Sequence, residues 1–335
     1  MKKNYFVKMI LVLALVVSSF AGCSFGAQDK ASGKNGKIKI VCTTYPQYDW
    51  VNNIIGKKKD NFDVELLIKQ GVDLHSYQPS AKDIANISTA DMFIYVGGES
   101  DEWVDDVLKT AKNKKIKSIY MVKAIGKAAK EEEVVEGMEP EKEDEKEDSK
   151  DNKDEEEVEI DEHVWLSLRN AKTISLKIEK ELEKIDSANK ETYKKNSDSY
   201  VKRLDDLDAK YKKTVESSNK KAVVFGDRFP FRYMVNDYDI KYYAAFVGCS
   251  AESEASFKTI SFLAKKVDDL DTDVIFVIEN SDKKIANTIK KNTHKKNQKI
   301  LVMNSLQSIT QKDLDNGLDY ISVMEKNLEV LKQAL

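Results

Sequence analysis

The sequence predicts an α/β fold with two lobes, each with a four-stranded parallel sheet and surrounding helices, joined by one long rigid helix. Short apolar or β-branched runs occur in two groups of four along the chain, and stretches of helical pattern separate the runs within each group. Between the two groups lies a single, much longer stretch of amphipathic helical periodicity. The chain length of 335 residues is sufficient for two such lobes.

Eight runs are predicted as β-strands. They are residues 38–43, 63–68, 92–96 and 116–122 in the first lobe, and 221–225, 241–246, 273–278 and 299–303 in the second lobe. Helical stretches between successive runs are typical of parallel strands whose two faces are both covered by helices. In such sheets, ligands bind in the loops beyond the carboxyl ends of the strands. We therefore expect functional residues directly after these runs.

One long amphipathic helix is predicted at residues 189–217. Tyr193, Tyr200 and Tyr211 lie on its apolar face, with polar residues at the other positions. A single helix between two lobes predicts a stiff hinge, and residues 319–335 predict a packed closing helix. The lobe limits that follow are 37–188 and 218–335.

The start of the chain resembles a bacterial export signal. Lysines precede an apolar run that is shorter than the roughly 20 residues needed to span a bilayer. The run ends in Phe-Ala-Gly-Cys, which is similar to the lipobox of bacterial lipoproteins. Residues 1–22 are therefore predicted to be a signal peptide, Cys23 the lipidated residue, and residues 23–36 a flexible tether. The predicted location is the extracytoplasmic face of the cell membrane, with the lipid as anchor.

A strongly acidic segment interrupts the first lobe. Residues 131–162 contain 19 Asp and Glu against 4 Lys, a formal charge of −15, so the remainder of this chain of net charge −3 carries +12. Mutual repulsion and few apolar residues predict a solvated loop at residues 131–160. The loop is either a spacer or a weak collector of divalent cations. Lysines elsewhere are dispersed over helix faces, which argues against a nucleic-acid partner.

Three cysteines are too few for a disulfide framework. Cys42 lies in the apolar run IKIVC and is predicted to be a buried strand thiol, with a disulfide to Cys249 as the alternative.

Two of the three histidines are candidate metal ligands. His75 follows a predicted strand, and His163 lies at the end of the acidic segment. They are 88 residues apart, so no local motif of the HExxH type is possible and the fold must assemble any shared site. A hydrogen-bonded structural role fits either histidine taken alone. His294 lies among lysines that repel a cation, and it is predicted to be exposed.

Several phrases together resemble the substrate-binding lipoproteins of bacterial zinc and manganese ABC importers, the ZnuA/TroA-like group. They are GVDLHSYQPSAKDI, STADMFIYVGGESDEWVDDVL, DEHVWLSLRNA, CSAESEASF and GLDYISVMEKNLEVLKQAL. The resemblance implies the two-lobed fold with a metal between the lobes, and it implies that His75 and His163 are ligands. It also implies a monomeric binding protein without enzymatic activity, whose partners are a divalent metal ion and a membrane permease.

The second lobe departs from the family pattern. The family usually places a third ligand, often histidine, after the first strand of that lobe, where this chain has GDRFPF. Either Asp227 or Arg228 occupies that place. Because a guanidinium cannot donate a lone pair to a metal, Asp227 is predicted as a ligand or supporting residue and Arg228 as a structural or carboxylate-pairing residue. Glu279, after a later strand, is the predicted fourth ligand, and Cys249 is a further alternative.

Two imidazoles with carboxylates predict a zinc site, with manganese or iron as alternatives because oxygen ligands also suit those metals. Two other functions compete. A metallohydrolase would need an open coordination position and a general base, yet the chain has no HExxH, GxSxG or P-loop signature. A surface adhesin fits the lipid anchor and the acidic loop but leaves the histidine phrases unexplained.

Overall fold

The computed structural model describes residues 36–139, 159–250 and 254–335. The predicted signal peptide, the lipidation residue Cys23 and all but the last residue of the tether lie outside these ranges, as do residues 140–158 of the acidic loop. Among the described residues, no helix combines the length and the apolar character that crossing a membrane requires.

The described residues form two parallel sheets of four strands. The first sheet has β1 Ile38–Cys42, β2 Phe62–Leu66, β3 Met92–Tyr95 and β4 Lys117–Tyr120, and the second has β5 Ala222–Phe229, β6 Lys241–Val247, β7 Val274–Val277 and β8 Lys299–Val302. The strand orders are β2-β1-β3-β4 and β6-β5-β7-β8, so both lobes share one topology. Every pairing is parallel. The predicted fold class is confirmed.

The sheets are covered by helices on both faces. The helices are α1 Tyr45–Ile55, α2 Ala81–Ser88, α3 Trp103–Thr110, α4 Met121–Ile125, α5 Leu168–Ile185, α6 Lys190–Glu216, α7 Arg232–Tyr238, α8 Phe257–Asp269, α9 Lys284–Asn292, α10 Gln311–Asp315 and α11 Tyr320–Leu331. Short 3-10 helices span Gly56–Asn61, Leu74–Ser76, Glu99–Asp101, Gly126–Ala128, Val164–Leu166 and Ser187–Asn189. All four residues of β3 and of β7 are buried, as expected for apolar central strands between two helical layers.

The long helix α6 contacts both lobes. It has 27 residues, a length of about 40 Å. Near its middle, the Tyr200 hydroxyl donates to Asp49 of α1 at 3.1 Å, and about three turns later the Tyr211 hydroxyl donates to the carbonyl of Met324 in α11 at 2.6 Å. These hydrogen bonds, together with its buried apolar face, make α6 a stiff brace between the lobes.

The two lobes share one hydrophobic core. Its largest cluster of buried side chains includes residues from both sheets. Trp50 of α1 packs edge-on against Tyr320 of α11, with ring centroids 5.3 Å apart. The Trp165 indole donates to the carbonyl of Ser305 in the second lobe at 2.8 Å. A shared, close-packed core limits the relative motion of the lobes to small displacements.

The described ends of the acidic segment are paired with other backbone. Glu131 forms an antiparallel bridge with Ile160, and Glu139 forms a parallel bridge with Phe246 of β6. The first nine residues of the predicted solvated loop 131–160 are therefore described by the structure, and they lie against the second lobe. Their backbone forms hydrogen bonds despite the charge of their side chains.

Candidate metal centre

The structure brings His75 and His163 together. His75 lies in the 3-10 helix Leu74–Ser76 in the loop after β2, and His163 lies directly before the 3-10 helix Val164–Leu166. Their Nε2 atoms are 3.2 Å apart. Asp73 caps the first of these short helices by accepting the backbone N–H of His75 at 3.1 Å. Tertiary folding thus assembles a pair that is distant in sequence.

The other ring nitrogen of each histidine is occupied by a polar partner. His75 Nδ1 lies 2.9 Å from the Ser100 hydroxyl, and His163 Nδ1 lies 3.1 Å from Asp161. Such partners fix the orientation and tautomer of an imidazole that ligates a metal through its other nitrogen. The Nε2 atom of each ring is left to face the Nε2 atom of the other.

A glycine turn after β3 positions Ser100. The Ser100 backbone N–H donates to Glu162 Oε1 at 2.8 Å, and Glu162 Oε2 lies 3.7 Å from His75 Nδ1. Gly98 has a φ of +95°, and a Cβ there would lie 2.4 Å from Glu162 Oε1. Only glycine accommodates both that conformation and that close approach. Burial raises the pKa of Glu162 to about 7.

The electrostatic environments of the two histidines differ. Burial, together with the neighbouring His163, lowers the pKa of His75 to about 3. Burial opposes protonation of His163, but the carboxylates of Asp161, Glu162 and Glu132 together outweigh that effect and the pKa of His163 is raised. His75 is therefore neutral at physiological pH, whereas protonation of His163 is favoured.

Cys249 is the third residue of this group. One ring nitrogen of each histidine and the Sγ of Cys249 all lie within 4.8 Å of one another. Cys249 comes two residues after β6 ends, at the carboxyl edge of the second sheet. The preceding Gly248 lies against His163, where a Cβ would be 2.9 Å from the imidazole Cε1. A larger residue at position 248 would separate this loop from the histidine.

Arg228 connects the loops that carry His75 and Cys249. Its Nη2 donates to Asp73 at 2.6 Å, and its Nη1 donates to the carbonyl of Ser250 at 3.3 Å. Burial alone would raise the pKa of Asp73, but the guanidinium outweighs it and the pKa of Asp73 is lowered. The predicted carboxylate pairing of Arg228 is confirmed.

The two predicted carboxylate ligands lie outside the group of His75, His163 and Cys249. Glu279 accepts the backbone N–H and the hydroxyl of Ser305 at 2.6 and 2.7 Å, and the backbone N–H of Gln307 at 3.2 Å. Asp227 accepts the backbone N–H of Arg228 at 2.9 Å and, more weakly, that of Ile278 at 3.4 Å. Asp227 thereby ties the end of β5 to the residue before Glu279.

Gln307 also lies beside the histidine pair, although it is not among the ligands predicted from the sequence. It is 3% exposed, and neither atom of its side-chain amide has a hydrogen-bond partner among the described residues. The amide lies close enough to His75 to favour the protonated imidazole. In the sequence, Gln307 is distinguished only as a polar residue in the loop after β8.

His294 is exposed, as predicted, and its ring lies 3.4 Å from Asp268.

Comparison with known proteins identifies relatives over almost the whole chain. The sequence model of the family described as "Zinc-uptake complex component A periplasmic", ZnuA, matches residues 40–334. The chain is 33% identical over 321 residues to the zinc-binding lipoprotein AdcA of Streptococcus pneumoniae, covering 96% of this chain and 60% of AdcA. It is 33% identical over 327 residues to the high-affinity zinc uptake system protein ZnuA of Bacillus subtilis, covering 97% of each. The chain thus spans about 60% of the length of its AdcA relatives.

Solved structures show the same fold. The crystal structure of the Zn(II)-bound ZnuA-like domain of Streptococcus pneumoniae AdcA matches with a TM-score of 0.68 and 33% identity, covering 89% of this chain and 98% of that domain. The metal-dependent lipoprotein YcdH from Bacillus subtilis matches with a TM-score of 0.71 and 29% identity, covering 89% and 99%. With a family match that extends over residues 40–334, this chain belongs to the ZnuA family.

Proposed function

We propose that this protein is a lipid-anchored, extracytoplasmic solute-binding protein that captures zinc and delivers it to an ABC permease. The observation that carries the proposal is the pair of Nε2 atoms 3.2 Å apart, each on an imidazole whose Nδ1 is held by a polar partner. Two nitrogen ligands of a tetrahedral zinc, each at about 2.0–2.1 Å from the metal, are about 3.3 Å apart. The pair therefore has the spacing of two zinc ligands.

Zinc is the proposed cargo, with manganese as the alternative. Imidazole nitrogens suit zinc, whereas manganese favours sites made of oxygen ligands. The names of the relatives support zinc, since AdcA is a zinc-binding lipoprotein and the Bacillus subtilis protein belongs to a high-affinity zinc uptake system. The role requires stoichiometric capture and release without catalysis.

The second lobe contributes carboxylates in this proposal. Glu279 is the proposed remaining oxygen ligand, because the backbone N–H that it accepts belongs to Gln307, whose amide lies beside His75. Asp227 is proposed to support it by tying Ile278, the residue before Glu279, to β5. Metal bound by both lobes would favour a closed arrangement that a permease can recognise, and the shared core would keep that change small.

Other parts of the chain have proposed roles in delivery. Residues 1–22 are proposed to direct export, and the lipid on Cys23, with the tether to residue 36, to hold the two lobes near the permease as a monomer. The acidic loop is proposed to concentrate cations near the site. The limits 37–188, 189–217 and 218–335 are the proposed lobe, connecting-helix and lobe boundaries.

Elemental analysis combined with competition titration tests the function. The protein from residue 24 onwards, purified anaerobically without a metal-binding tag, should bind one zinc and should prefer zinc to manganese. A His294→Ala variant is the control and should bind zinc like the unaltered protein, since His294 is an exposed histidine outside the group. The proposal would be refuted if the unaltered protein bound no zinc, or if it hydrolysed a substrate in a metal-dependent reaction.

A further inference from the structure

We infer that the Cys249 thiolate is the third protein ligand of the transported metal and takes the role that a histidine near the end of β5 would otherwise have. This inference rests on the proposed function. Its first support is geometric, because the sulfur and the two histidine nitrogens lie within 4.8 Å of one another. In a tetrahedral zinc site, a thiolate sulfur and an imidazole nitrogen are about 3.6 Å apart. A small side-chain movement converts the observed group into a ligand set.

The backbone around Cys249 is adapted to this approach. Gly248 allows the loop to lie against His163, where any Cβ would be 2.9 Å from the imidazole and 3.0 Å from the carbonyl of Phe229. Arg228 holds the carbonyl of Ser250 on one side and Asp73 on the other. The packing of Gly248 and the hydrogen bond to Ser250 fix the residues on either side of Cys249. The ion pair with Asp73 fixes the loop of His75.

Arg228 has a structural role in this lobe, which has no histidine near the end of β5. The guanidinium cannot ligate a metal, but it joins the Cys249 loop to the His75 loop across the two lobes. Arg228 is therefore a positioning residue, and the loop after β6 supplies a second-lobe ligand in addition to the proposed Glu279.

A second, independent observation points to a bound group at the same place. The Gln307 residue is 3% exposed, and its amide lies beside His75 but forms no hydrogen bond of good geometry among the described residues. Buried amides of this kind are normally satisfied, so an unsatisfied one indicates a water or an ion that completes its environment. A zinc ion with its remaining ligand beside His75 supplies that partner.

The chemistry of the step is a ligand exchange without oxidation. The Cys249 thiol loses its proton to solvent, a Zn–S bond forms, and one water leaves the hydrated metal ion. Thiolate is a soft ligand that favours zinc over manganese. The sulfur is thus the specificity-determining group of the site.

X-ray absorption spectroscopy of the zinc-loaded protein tests the inference without any substitution. One sulfur at about 2.3 Å from zinc is expected, alongside nitrogen or oxygen at about 2.0–2.1 Å. A spectrum with nitrogen and oxygen neighbours alone, from protein that binds one zinc, would overturn the inference and leave the proposed function intact. Protein that binds no zinc would overturn both.

Variants of Cys249 provide the second arm of the test. Loading with Co²⁺ should give a sulfur-to-cobalt charge-transfer band in the unaltered protein, and Cys249→Ser and Cys249→His should abolish it. Cys249→Ser should lower zinc affinity by roughly ten- to a hundredfold or more and leave manganese affinity nearly unchanged. Cys249→His, which restores a nitrogen ligand, should recover much of the zinc affinity. An unchanged ratio of zinc to manganese affinity in Cys249→Ser would contradict the assignment.

Discussion

Arg228 of the second lobe forms an ion pair with Asp73 of the first lobe, with 2.6 Å between Nη2 and Oδ2. Asp73 accepts the backbone N–H of His75 through its other carboxylate oxygen. The orientation of His75, a proposed ligand in the first lobe, thus depends on a side chain from the opposite lobe. This relationship couples the geometry of the site to the relative position of the lobes.

Replacing Arg228 by lysine should loosen the site. Lysine keeps the charge but cannot donate to Asp73 and to the carbonyl of Ser250 from one planar group. We expect a fall in zinc affinity of about tenfold and faster hydrogen exchange in both loops. Arg169→Lys is the matched control, because Arg169 pairs with Asp208 and Asp237 on a more exposed surface. Equal affinities in the two variants would show that Arg228 does not position the ligands.

Removal of either histidine should lower zinc affinity by more than about 100-fold. Loss of a residue that hydrogen-bonds to a ligand already lowers metal affinity by about 10–100-fold, and the ligand itself contributes more.

The two histidine substitutions should differ in their effect on stability. His163 is fully buried, so His163→Ala leaves a cavity and lowers the free energy of unfolding, whereas the more accessible His75 should affect it less. Competition titration and thermal unfolding of the metal-free proteins measure the two effects, and wild-type titration by both variants would contradict the site.

Ser100→Ala should weaken metal binding although Ser100 is not a ligand. The substitution removes the hydrogen-bond partner of His75 Nδ1 and leaves the ring free to change tautomer and orientation. We expect about a tenfold or greater loss of zinc affinity with little change in stability. Ser217→Ala, at an exposed serine beyond α6, is the control. Indistinguishable titrations of the two variants would remove Ser100 from the site.

Zinc affinity should fall as the pH falls through the raised pKa of His163. The metal binds only the neutral imidazole, and below that pKa the proton occupies the ligand in the metal-free protein. His75, with a pKa of about 3, does not add to this competition near neutrality. Asp161→Asn removes the main charge that raises the pKa of His163, so the onset of the fall should move to lower pH. Titrations from about pH 8 to pH 5 should show this shift, and an identical onset would contradict the assignment.

Replacing residues 140–158 with a neutral Gly/Ser segment of equal length should slow zinc capture at low salt and leave equilibrium affinity unchanged. The change spares the bridges of Glu131 and Glu139. Eleven acidic residues and four lysines give this segment a charge of −7. Salt screens its attraction for cations over about 8 to 10 Å. Stopped-flow capture that is the same for both proteins at every ionic strength would leave the segment as a spacer.

The fold was predictable because its signals are local. Apolar runs such as those of β3 and β7, and the periodic tyrosines of α6, encode burial in the order of neighbouring residues. Likewise, His75 and His163 lie in phrases with recognisable neighbours.

The second-lobe part of the site was harder to predict because it depends on tertiary contacts. The approach of Cys249 depends on Gly248 packing against a residue more than 80 positions away, and the role of Arg228 depends on Asp73. Gln307 gave no sequence signal beyond its polarity. Glu279 and Asp227 were chosen by strand position alone, and their part in metal binding stays a prediction.

Anomalous diffraction at the zinc absorption edge, from crystals of the zinc-loaded protein, locates the bound metal. We expect one strong peak at about 2.0–2.1 Å from the Nε2 atoms of both His75 and His163, with a further ligand from the second lobe. A peak located elsewhere, or one bound by first-lobe residues alone, would contradict the proposed metal site.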